Sequence, residues 1–304
     1  MLILDEAAVR KHLRMPALIP AMERALRALS AGEVVQPVRV VVPVAEWGGF
    51  LGSMPAYAGG VLGIKVVTFY PNNQGVPTHH ALVLLFRPET GEPLVVMDGR
   101  LITEMRTGAV SAVATRLLAR EDSSVLAILG SGVQAQSHLE ALRLVRQFRE
   151  IRVWSPSNAG AFARRFGVRL ARSAEDAVRG ADVVVVATTS RTPVLPGEWL
   201  SPGAHINAVG AARPDWRELD DAVLANAKLY VESREAASRE SGDVIAAGTI
   251  FAEIGEVIGQ AKAGRRSATE VTLFKSVGVA VEDLASADLV YREALAAQHL
   301  LGLT

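Results

Sequence analysis

One stretch of the chain constrains its fold more than any other: Val125-Leu-Ala-Ile-Leu-Gly-Ser-Gly-Val-Gln-Ala135. Its five apolar residues predict a buried strand, and the polar, helix-forming residues after it predict a helix. Gly130 and Gly132 lie in the tight turn, and Ala135 occupies the third small position of a G-x-G-x-x-G/A pattern. Such a turn lets backbone approach a pyrophosphate at the helix N-terminus. The stretch therefore predicts a dinucleotide site at Gly130, Ser131 and Gly132, the alternative being a plain glycine-rich turn in another α/β protein.

The composition argues against several other classes of protein. Among 304 residues there are 32 basic and 32 acidic side chains, so no basic surplus favours a nucleic-acid partner. Aromatic residues make up only 5% and offer few platforms for stacked bases. The absence of cysteine excludes disulfides and thiolate chemistry and agrees with a cytoplasmic location. Apolar runs are strand-sized, and acidic residues interrupt the N-terminus, so neither a membrane span nor a signal peptide is expected.

The residue pattern changes near Thr103 and predicts two domains. A helix over residues 5–30 is followed by five short runs with turn residues between them, which is typical of a mostly antiparallel sheet. Those strands are expected at 38–43, 50–54, 63–70, 81–87 and 93–98. A helix over residues 103–119, with Thr103 as its N-cap, then leads into alternating strands and helices. The later strands are expected at 125–129, 151–154, 182–187, 204–209 and 228–231, with a last helix over 281–300.

The fold class is therefore α/β, a Rossmann-type doubly wound parallel sheet plus a second α+β domain with a mostly antiparallel sheet. The all-apolar run Val183–Val186 fits a parallel strand covered on both faces. We expect residues 1–115 in the antiparallel domain and residues 116–280 in the Rossmann domain, with a change of pattern rather than a linker between them.

The end of the second parallel strand distinguishes the two nicotinamide dinucleotides. An Asp or Glu there binds the ribose 2′-hydroxyl of NAD, but here the strand ends in Ser155-Pro-Ser-Asn158 without a carboxylate. Hydroxyl and amide groups can donate to a 2′-phosphate, and Arg164 or Arg165 can add positive charge. We therefore expect NADP(H) in preference to NAD(H). The alternative is that Ser157 only caps the next helix and the two arginines are solvated.

Three basic residues in the antiparallel domain are candidates for substrate chemistry. Arg39 and Lys65 are single charges within apolar strands, and Arg106 is expected in the first turn of the helix that begins at Thr103. A cation in that turn is unfavourable unless an anion lies nearby. The arginines suit bidentate binding of a carboxylate, and a partly desolvated Lys65 can exchange protons. The alternative is that all three are solvated, as lone cations on an antiparallel sheet usually are.

Metal-dependent and hydrolytic chemistry are not indicated. His79 and His80 are adjacent on a predicted strand and so face opposite sides of it, where they cannot both hold one metal ion. The sequence contains no H-E-x-x-H motif, no carboxylate cluster and no G-x-S-x-G elbow. We expect no metal.

Further motifs occur in a fixed order along almost the whole chain. They are Leu51-Gly-Ser-Met-Pro-Ala-Tyr57, Gly63-Ile-Lys-Val-Val-Thr-Phe-Tyr70, Pro77-Thr-His79, Val96-Met-Asp-Gly99 with Arg106-Thr107, Leu129-Gly-Ser-Gly-Val-Gln-Ala135, Pro202-Gly-Ala-His-Ile-Asn-Ala-Val-Gly210, Arg213-Pro-Asp-Trp-Arg-Glu-Leu-Asp220, Glu240-Ser-Gly-Asp-Val244, Phe251-Ala-Glu-Ile-Gly-Glu-Val-Ile258 and Phe274-Lys-Ser276. Taken together, these motifs resemble the ornithine cyclodeaminase/mu-crystallin family.

The resemblance implies a homodimer in which the C-terminal helix, within residues 281–304, returns to the antiparallel domain. It implies that Arg39 and Arg106 bind the substrate carboxylate and that Lys65 handles the proton. It also implies a set of dinucleotide contacts around the glycine-rich turn, with Glu240 near the site. The expected cofactor-binding residues are Gly130, Ser131, Gly132, Val133, Gln134, Ser155, Ser157, Thr78, His79, Thr107, Thr188, Val209, Glu240 and Ser276.

Within this family the chemistry divides at one position. Cyclodeaminases carry an acidic residue shortly after the Ala-Val-Gly strand, and here that position is Ala212. The run from Arg213 to Asp220 and the carboxylate-free second strand instead resemble the mu-crystallin branch. The resemblance therefore implies an NAD(P)H-dependent reductase of small cyclic imino acids, such as pyrroline-2-carboxylate or piperideine-2-carboxylate. The alternatives are an alanine-type dehydrogenase, an ornithine cyclodeaminase and a non-catalytic NADPH-dependent protein that binds a small ligand.

Overall fold

The computed structural model describes residues 1–300, and residues 301–304 of the expected C-terminal segment lie outside it. The chain divides into two compact units. The first unit is Met1–Arg106 with the C-terminal segment from Val279, and the second unit is Thr107–Gly278.

Strands and helices are numbered in chain order. The strands are β1 (Leu2–Leu4), β2 (Val34–Val35), β3 (Val40–Val44), β4 (Gly49–Ala58), β5 (Val61–Phe69), β6 (His79–Phe86), β7 (Pro93–Asp98), β8 (Val125–Leu129), β9 (Glu150–Trp154), β10 (Arg169–Leu170), β11 (Val183–Val186), β12 (His205–Ala208), β13 (Lys228–Val231), β14 (Ala252–Glu253) and β15 (Thr272–Lys275). The helices are α1 (Glu6–His12), α2 (Met15–Ser30), α3 (Arg100–Leu118), α4 (Val133–Leu142), α5 (Ala159–Phe166), α6 (Ala174–Val178), α7 (Asp221–Asn226), α8 (Arg234–Glu240), α9 (Gly242–Ala247), α10 (Ile254–Ile258) and α11 (Ala280–Leu300).

The first unit contains a mostly antiparallel sheet in the order β1-β7-β6-β5-β4-β2, with β3 also paired to β4. The pairing of β1 with β7 is parallel and was not expected from the sequence. Side chains alternate between the two faces of the sheet, and α11 packs against β4, β5 and β6 on one of them. Met54, Val67, Val83 and Val95 are buried on this covered face.

Two helix boundaries differ from those expected. Residues 5–30 form α1 and α2 rather than one helix, because the chain turns extended at Leu13 and a proline occupies the first turn of α2. The helix α3 begins at Arg100, whose backbone N–H donates to Asp98 Oδ1 at 2.9 Å. The prediction of Thr103 as an N-cap is therefore wrong. Thr103 lies inside α3, and its hydroxyl donates to the Gly99 carbonyl at 2.8 Å.

The second unit contains a parallel sheet in the order β10-β9-β8-β11-β12-β15-β13-β14. Its strand order reverses between β8 and β11, which is the switch point of a doubly wound fold. The sequence did not reveal β15 as a strand, although it lies between β12 and β13 in the sheet. Its four buried residues, Thr272–Lys275, include two polar side chains, which made the apolar pattern short.

The core of the second unit lies between β8 and the helices that flank it. Leu126 and Ile128 of β8 pack with Leu139 of α4, Phe162 of α5 and Val183 of β11. All five side chains are buried. This packing fixes the start of α4 relative to the end of β8, so the glycine-rich turn has a rigid support on both sides.

Candidate active site

Lys65 lies near the middle of β5, opposite Met54 on β4 and Val83 on β6. All three point to the covered face, and Lys65 is only 2% exposed. A lone cation on such a strand usually points to solvent, so its burial requires a compensating charge.

That compensation comes from the first turn of α11. Asp283 Oδ2 lies 2.6 Å from Lys65 Nζ, and Asp283 Oδ1 accepts a hydrogen bond from Arg106 Nε at 3.2 Å. Glu282 Oε2 accepts a hydrogen bond from Arg106 Nη1 at 2.9 Å. Both carboxylates are fully buried. Asp283 therefore bridges the two cations. Because α3 begins at Arg100 rather than Thr103, Arg106 lies about one turn further into the helix than expected, with anions beside it.

The environment of Lys65 and Asp283 shifts both pKa values. Burial lowers the pKa of Lys65 from 10.5 to about 8, and the positive charges of Arg106 and Arg39 assist while Asp283 opposes. Burial disfavours the Asp283 carboxylate, but Lys65 and Arg106 outweigh it and hold its pKa below its usual range. Near neutral pH the pair is an ammonium and a carboxylate, and Lys65 can release its proton within the physiological range.

Arg39 approaches the same face from the residue before β3. A Cβ atom built on Gly52 of β4 would lie 3.4 Å from Arg39 Cδ and 3.1 Å from Val67 Cγ1 of β5. The absence of a side chain at Gly52 therefore leaves room for the Arg39 stem. Within the first unit, the structure brings Arg39, Lys65 and Arg106 to one face of one sheet.

Two neutral groups complete the surroundings of Lys65. Thr103 Oγ1 accepts a long hydrogen bond from Lys65 Nζ at 3.5 Å. Burial lowers the pKa of His79 from 6.5 to about 4, with added effects from Lys65 and Arg106, so the imidazole is neutral at pH 7. His80, its neighbour on β6, is exposed. Thr78 lies in the exposed loop before β6.

In the second unit, the turn between β8 and α4 has the geometry of an anion site. Gly130 has a φ of +117°, and a Cβ atom there would lie 2.2 Å from the Ala187 carbonyl oxygen, so only glycine fits. Gly132 is the N-cap of α4 and provides no capping side chain. A Cβ atom at Gly132 would meet nothing within 4 Å. The first N–H groups of α4 are thus left for a ligand such as a pyrophosphate.

Neighbouring residues also fit a dinucleotide. Val133 is exposed at the start of α4, whereas Ala135 is buried against the sheet. Gln134 Oε1 is buried and has no hydrogen-bond partner among residues 1–300. A buried acceptor without a donor is costly, and a bound ligand would remove that cost.

The end of β9 carries hydroxyl groups. Ser131 Oγ and Ser155 Oγ are 2.8 Å apart and link the glycine-rich turn to the end of β9. The N-cap of α5 is Asn158 rather than Ser157, and Ser157 is exposed. Arg164 and Arg165 are also exposed, in the last turn of α5. No acidic side chain follows β9 in this turn.

Three of the other expected contacts lie at one edge of the parallel sheet. Thr188, Val209 and Ser276 follow the carboxyl ends of β11, β12 and β15, which are adjacent strands. Thr107 is buried in α3, and Glu240 is the last residue of α8. The carboxyl edge of a doubly wound sheet is where ligands bind.

Sequence reasoning missed Glu282 and Asp283, the two acids that hold Lys65 and Arg106. Acidic residues in the first turn of a helix are common because they interact well with the macrodipole, so the pair gave no distinctive signal. The only available signal was an unexplained cation within the apolar strand β5.

Among the residues that the structure describes, no group of three or more His, Cys, Asp or Glu side chains could hold a metal ion. Likewise, no helix in this part of the chain is long and apolar enough to cross a bilayer.

Comparison with known proteins identifies the family. A sequence model of the ornithine cyclodeaminase/mu-crystallin family matches residues 1–298. The chain belongs to this family. It is 53% identical over 301 residues to the ketimine reductase mu-crystallin of Mus musculus, which covers 95% of this chain and 96% of the relative.

Two solved structures of the family share the fold. One is Thermococcus litoralis Δ1-pyrroline-2-carboxylate reductase in complex with NADH and L-proline, with a TM-score of 0.94, 40% identity and 98% of each chain covered. The other is an archaeal alanine dehydrogenase dimer with bound NAD, with a TM-score of 0.93 and 38% identity. The match covers 98% of this chain and 97% of the dehydrogenase chain. They confirm the predicted fold class, a parallel sheet combined with a mostly antiparallel one.

Proposed function

We propose that this family member is an NAD(P)H-dependent reductase of small cyclic imino acids such as pyrroline-2-carboxylate or piperideine-2-carboxylate. The observation that carries the proposal is Lys65, a buried ammonium held by Asp283 beside Arg106. The ketimine reductase at 53% identity and the pyrroline-2-carboxylate reductase structure support the same chemistry. The alanine dehydrogenase, cyclodeaminase and non-catalytic alternatives are not favoured.

In this proposal the first unit binds the substrate. Three cations, Arg39, Lys65 and Arg106, face two carboxylates there, which leaves a net positive charge for one substrate carboxylate. Arg106 donates Nε to Asp283 and Nη1 to Glu282, and the guanidinium groups of Arg106 and Arg39 together form the clamp. The acids hold the Arg106 fork in a fixed orientation before substrate arrives.

Lys65 then acts on the imine nitrogen. As an ammonium it donates a proton to that nitrogen while the imine carbon receives a hydride, so the C=N bond becomes CH–NH with charge balanced. Asp283 holds the ammonium in place and favours its charged form. Burial has the opposite effect and makes the proton easier to release.

We assign dinucleotide binding to the second unit. The N–H groups at the start of α4, beyond Gly132, would hold the pyrophosphate, and Ser155 and Ser157 the adenosine ribose. A bound nicotinamide dinucleotide supplies the hydride. The carboxylate-free end of β9 supports NADP(H) over NAD(H), although the two family structures described above contain NADH and NAD.

We also propose that two copies of this chain form a homodimer through the first unit. Leu51, Tyr57 and Leu82 lie on the face of the sheet opposite Lys65 and are 38%, 42% and 51% exposed. Val40 and Val42 of the edge strand β3 are more than half exposed. Exposed apolar side chains on one sheet face and on an edge strand are typical of an interface, and the alanine dehydrogenase relative is a dimer.

The experiment is an absorbance assay at the nicotinamide band with NADPH and NADH in parallel. The substrates are the two cyclic imines, pyruvate with ammonia, and ornithine. We expect turnover with a cyclic imine, abolition of that turnover in Lys65→Met, and no effect of Lys11→Met, a surface control. Turnover only with pyruvate and ammonia, ammonia release from ornithine without net cofactor change, or full activity of Lys65→Met would refute the proposal.

A further inference from the structure

A second buried ionic cluster lies in the second unit and takes no part in the chemistry proposed above. Glu218, Asp243 and Lys275 are all at most 1% exposed. Lys275 Nζ lies 3.1 Å from Asp243 Oδ2 and 3.8 Å from Glu218 Oε2. The same ammonium donates to the carbonyl oxygen of Gly210.

The cluster connects the ends of three adjacent strands. Glu218 Oε1 accepts hydrogen bonds from Thr188 N at 2.9 Å and from Thr188 Oγ1 at 2.6 Å, and Thr188 follows β11. Lys275 is the last residue of β15, and its partner Gly210 follows β12. β11, β12 and β15 are neighbours in the sheet. One carboxylate and one ammonium therefore join all three strand ends.

Asp243 holds the carboxylate side of the cluster in place. Its Oδ1 accepts hydrogen bonds from the backbone N–H groups of Glu218 and Leu219, each at 3.1 Å. Asp243 thus fixes the backbone that carries Glu218 as well as pairing with Lys275.

The loop after β12 is packed directly on this cluster. A Cβ atom at Gly210 would lie 2.3 Å from the Thr188 carbonyl oxygen and 2.4 Å from Glu218 Oε1. The next residue, Ala211, has a φ of +50°, a left-handed conformation that a non-glycine residue adopts only when its surroundings impose it. The backbone of this loop is therefore held in one conformation by Glu218 and Lys275.

Stability alone does not explain such a cluster. Burying charged groups is costly, and well-packed apolar residues often replace a buried ion pair without loss of stability. Burial raises the pKa of Glu218 from 4.5 to about 7 despite Lys275 and Thr188, which shows how costly its ionised form is.

The position of the cluster in the sheet indicates a role in cofactor binding. The ribose-binding end of β9 lies on one side of the switch point, so the nicotinamide half of a dinucleotide belongs on the other side, with β11 and β12.

We propose that Glu218, Asp243 and Lys275 are positioning residues that preset the loops after β11 and β12 to receive the nicotinamide half of the cofactor. The inference rests on the proposed dinucleotide site and names residues outside it. It requires that loss of the cluster weaken binding of the nicotinamide half selectively, because the adenosine half binds at β8 and β9.

The test measures ligand affinity by calorimetry in Glu218→Gln, in Lys275→Met and in the triple variant Glu218→Gln/Asp243→Asn/Lys275→Met. The ligands are NADPH and NADH and their adenosine fragments 2′,5′-ADP and ADP. In Lys275→Met and in the triple variant, which lose the donor to Gly210, we expect the Kd of the preferred dinucleotide to rise about tenfold or more, with the Kd of its fragment unchanged. Glu218→Gln keeps an acceptor for Thr188 and should give a smaller rise. Lys228→Met is the control, because Lys228 pairs with Glu270 at the start of β13, the opposite edge of the same sheet.

Hydrogen exchange and thermal unfolding separate positioning from stability. In the variants we expect faster exchange at Thr188 and at 210–212, with exchange at β8 unchanged. The triple variant removes every charge of the cluster and should recover the Tm lost in Lys275→Met while its dinucleotide affinity stays low. Unchanged dinucleotide affinity, equal losses for dinucleotide and fragment, or affinity that recovers together with Tm would overturn the inference. If the wild-type protein bound neither dinucleotide, the proposed function itself would fail.

Discussion

Replacing Asp283 by asparagine tests the central feature of the first unit. Asparagine keeps the size of the side chain but removes the negative charge, and its amide offers one acceptor oxygen where aspartate offers two. Because that charge favours the ammonium, its loss lowers the pKa of Lys65 below the present value of about 8. A lower pKa means that Lys65 loses its proton at a lower pH.

The expected shift follows from the distance of 2.6 Å between Lys65 Nζ and Asp283 Oδ2. At this separation the attraction of unit charges is about 1.6 kcal/mol in bulk water and about 6 kcal/mol at an effective dielectric constant of about 20. These energies correspond to about 1 and about 5 pKa units. The pair is buried, so we expect a shift of at least about one unit.

The assay is the pH profile of kcat/KM for reduction of pyrroline-2-carboxylate and for the reverse oxidation of proline. In the wild-type protein the reductive rate should fall, and the oxidative rate rise, as pH increases through about 8. In Asp283→Asn both limbs should move at least about one unit towards acid. Inhibition by pyrrole-2-carboxylate, whose ring nitrogen does not titrate here, should show the same shift and so separate Lys65 from the substrate's own ionisation.

Asp288→Asn is the matched control, since Asp288 lies on the same helix and pairs only with the exposed Arg292 among the contacts described. Its profile should remain that of the wild-type protein. Limbs that stay at about pH 8 in Asp283→Asn, or that move to higher pH, would refute the role assigned to the Lys65–Asp283 pair.

Four further substitutions give distinct outcomes. Gly132→Ala should leave the unfolding free energy within about 0.5 kcal/mol of wild type, since a Cβ atom there meets nothing within 4 Å. It should nevertheless weaken dinucleotide binding, measured by calorimetry, at least about tenfold. Unchanged affinity would argue against a pyrophosphate at this turn. Gly130→Ala should destabilise the protein by about 2 kcal/mol or more in urea unfolding, because φ is +117° and a carbonyl oxygen lies in the way. Leu82→Arg should give monomers in sedimentation velocity, whereas the control Leu144→Arg, at another exposed leucine, should stay dimeric. A dimeric Leu82→Arg protein would rule out the sheet face opposite Lys65 as the interface. Ser157→Asp should lower the ratio of kcat/KM for NADPH to that for NADH at least about tenfold by charge repulsion, and a constant ratio would contradict the NADP(H) preference.

Structural elements that depend on residues close together in the chain can be predicted from the sequence. The strand, turn and helix around Gly130 are local, and each has its own periodicity, so the parallel sheet and the fold class follow from them. The ends of helices and strands depend on contacts that a periodic pattern does not contain. Thr103 resembled an N-cap, but Asp98 accepts the Arg100 N–H and starts the helix earlier.

The partners of the buried cations could not be predicted from the sequence. Lys65 and Asp283 are far apart in the chain, and their contact depends on where α11 packs on the sheet. Lys275 belongs to a short motif that the sequence shows, but the sequence does not predict its strand β15, because two of the four residues of the strand are polar. The sequence shows that a charged residue stands in an apolar segment. Which opposite charge lies beside it depends on the tertiary structure.

The origin of Glu282 and Asp283 in α11 has a consequence for synthesis on the ribosome. The second unit is one continuous segment and can fold as soon as it emerges, whereas the first unit is made from both ends of the described chain. Until α11 has been translated, Lys65 lacks Asp283, the carboxylate that lies beside it in the folded unit. The N-terminal sheet is thus translated first and completed last, so a nascent chain cut before residue 280 should have a folded second unit and an unfinished first unit.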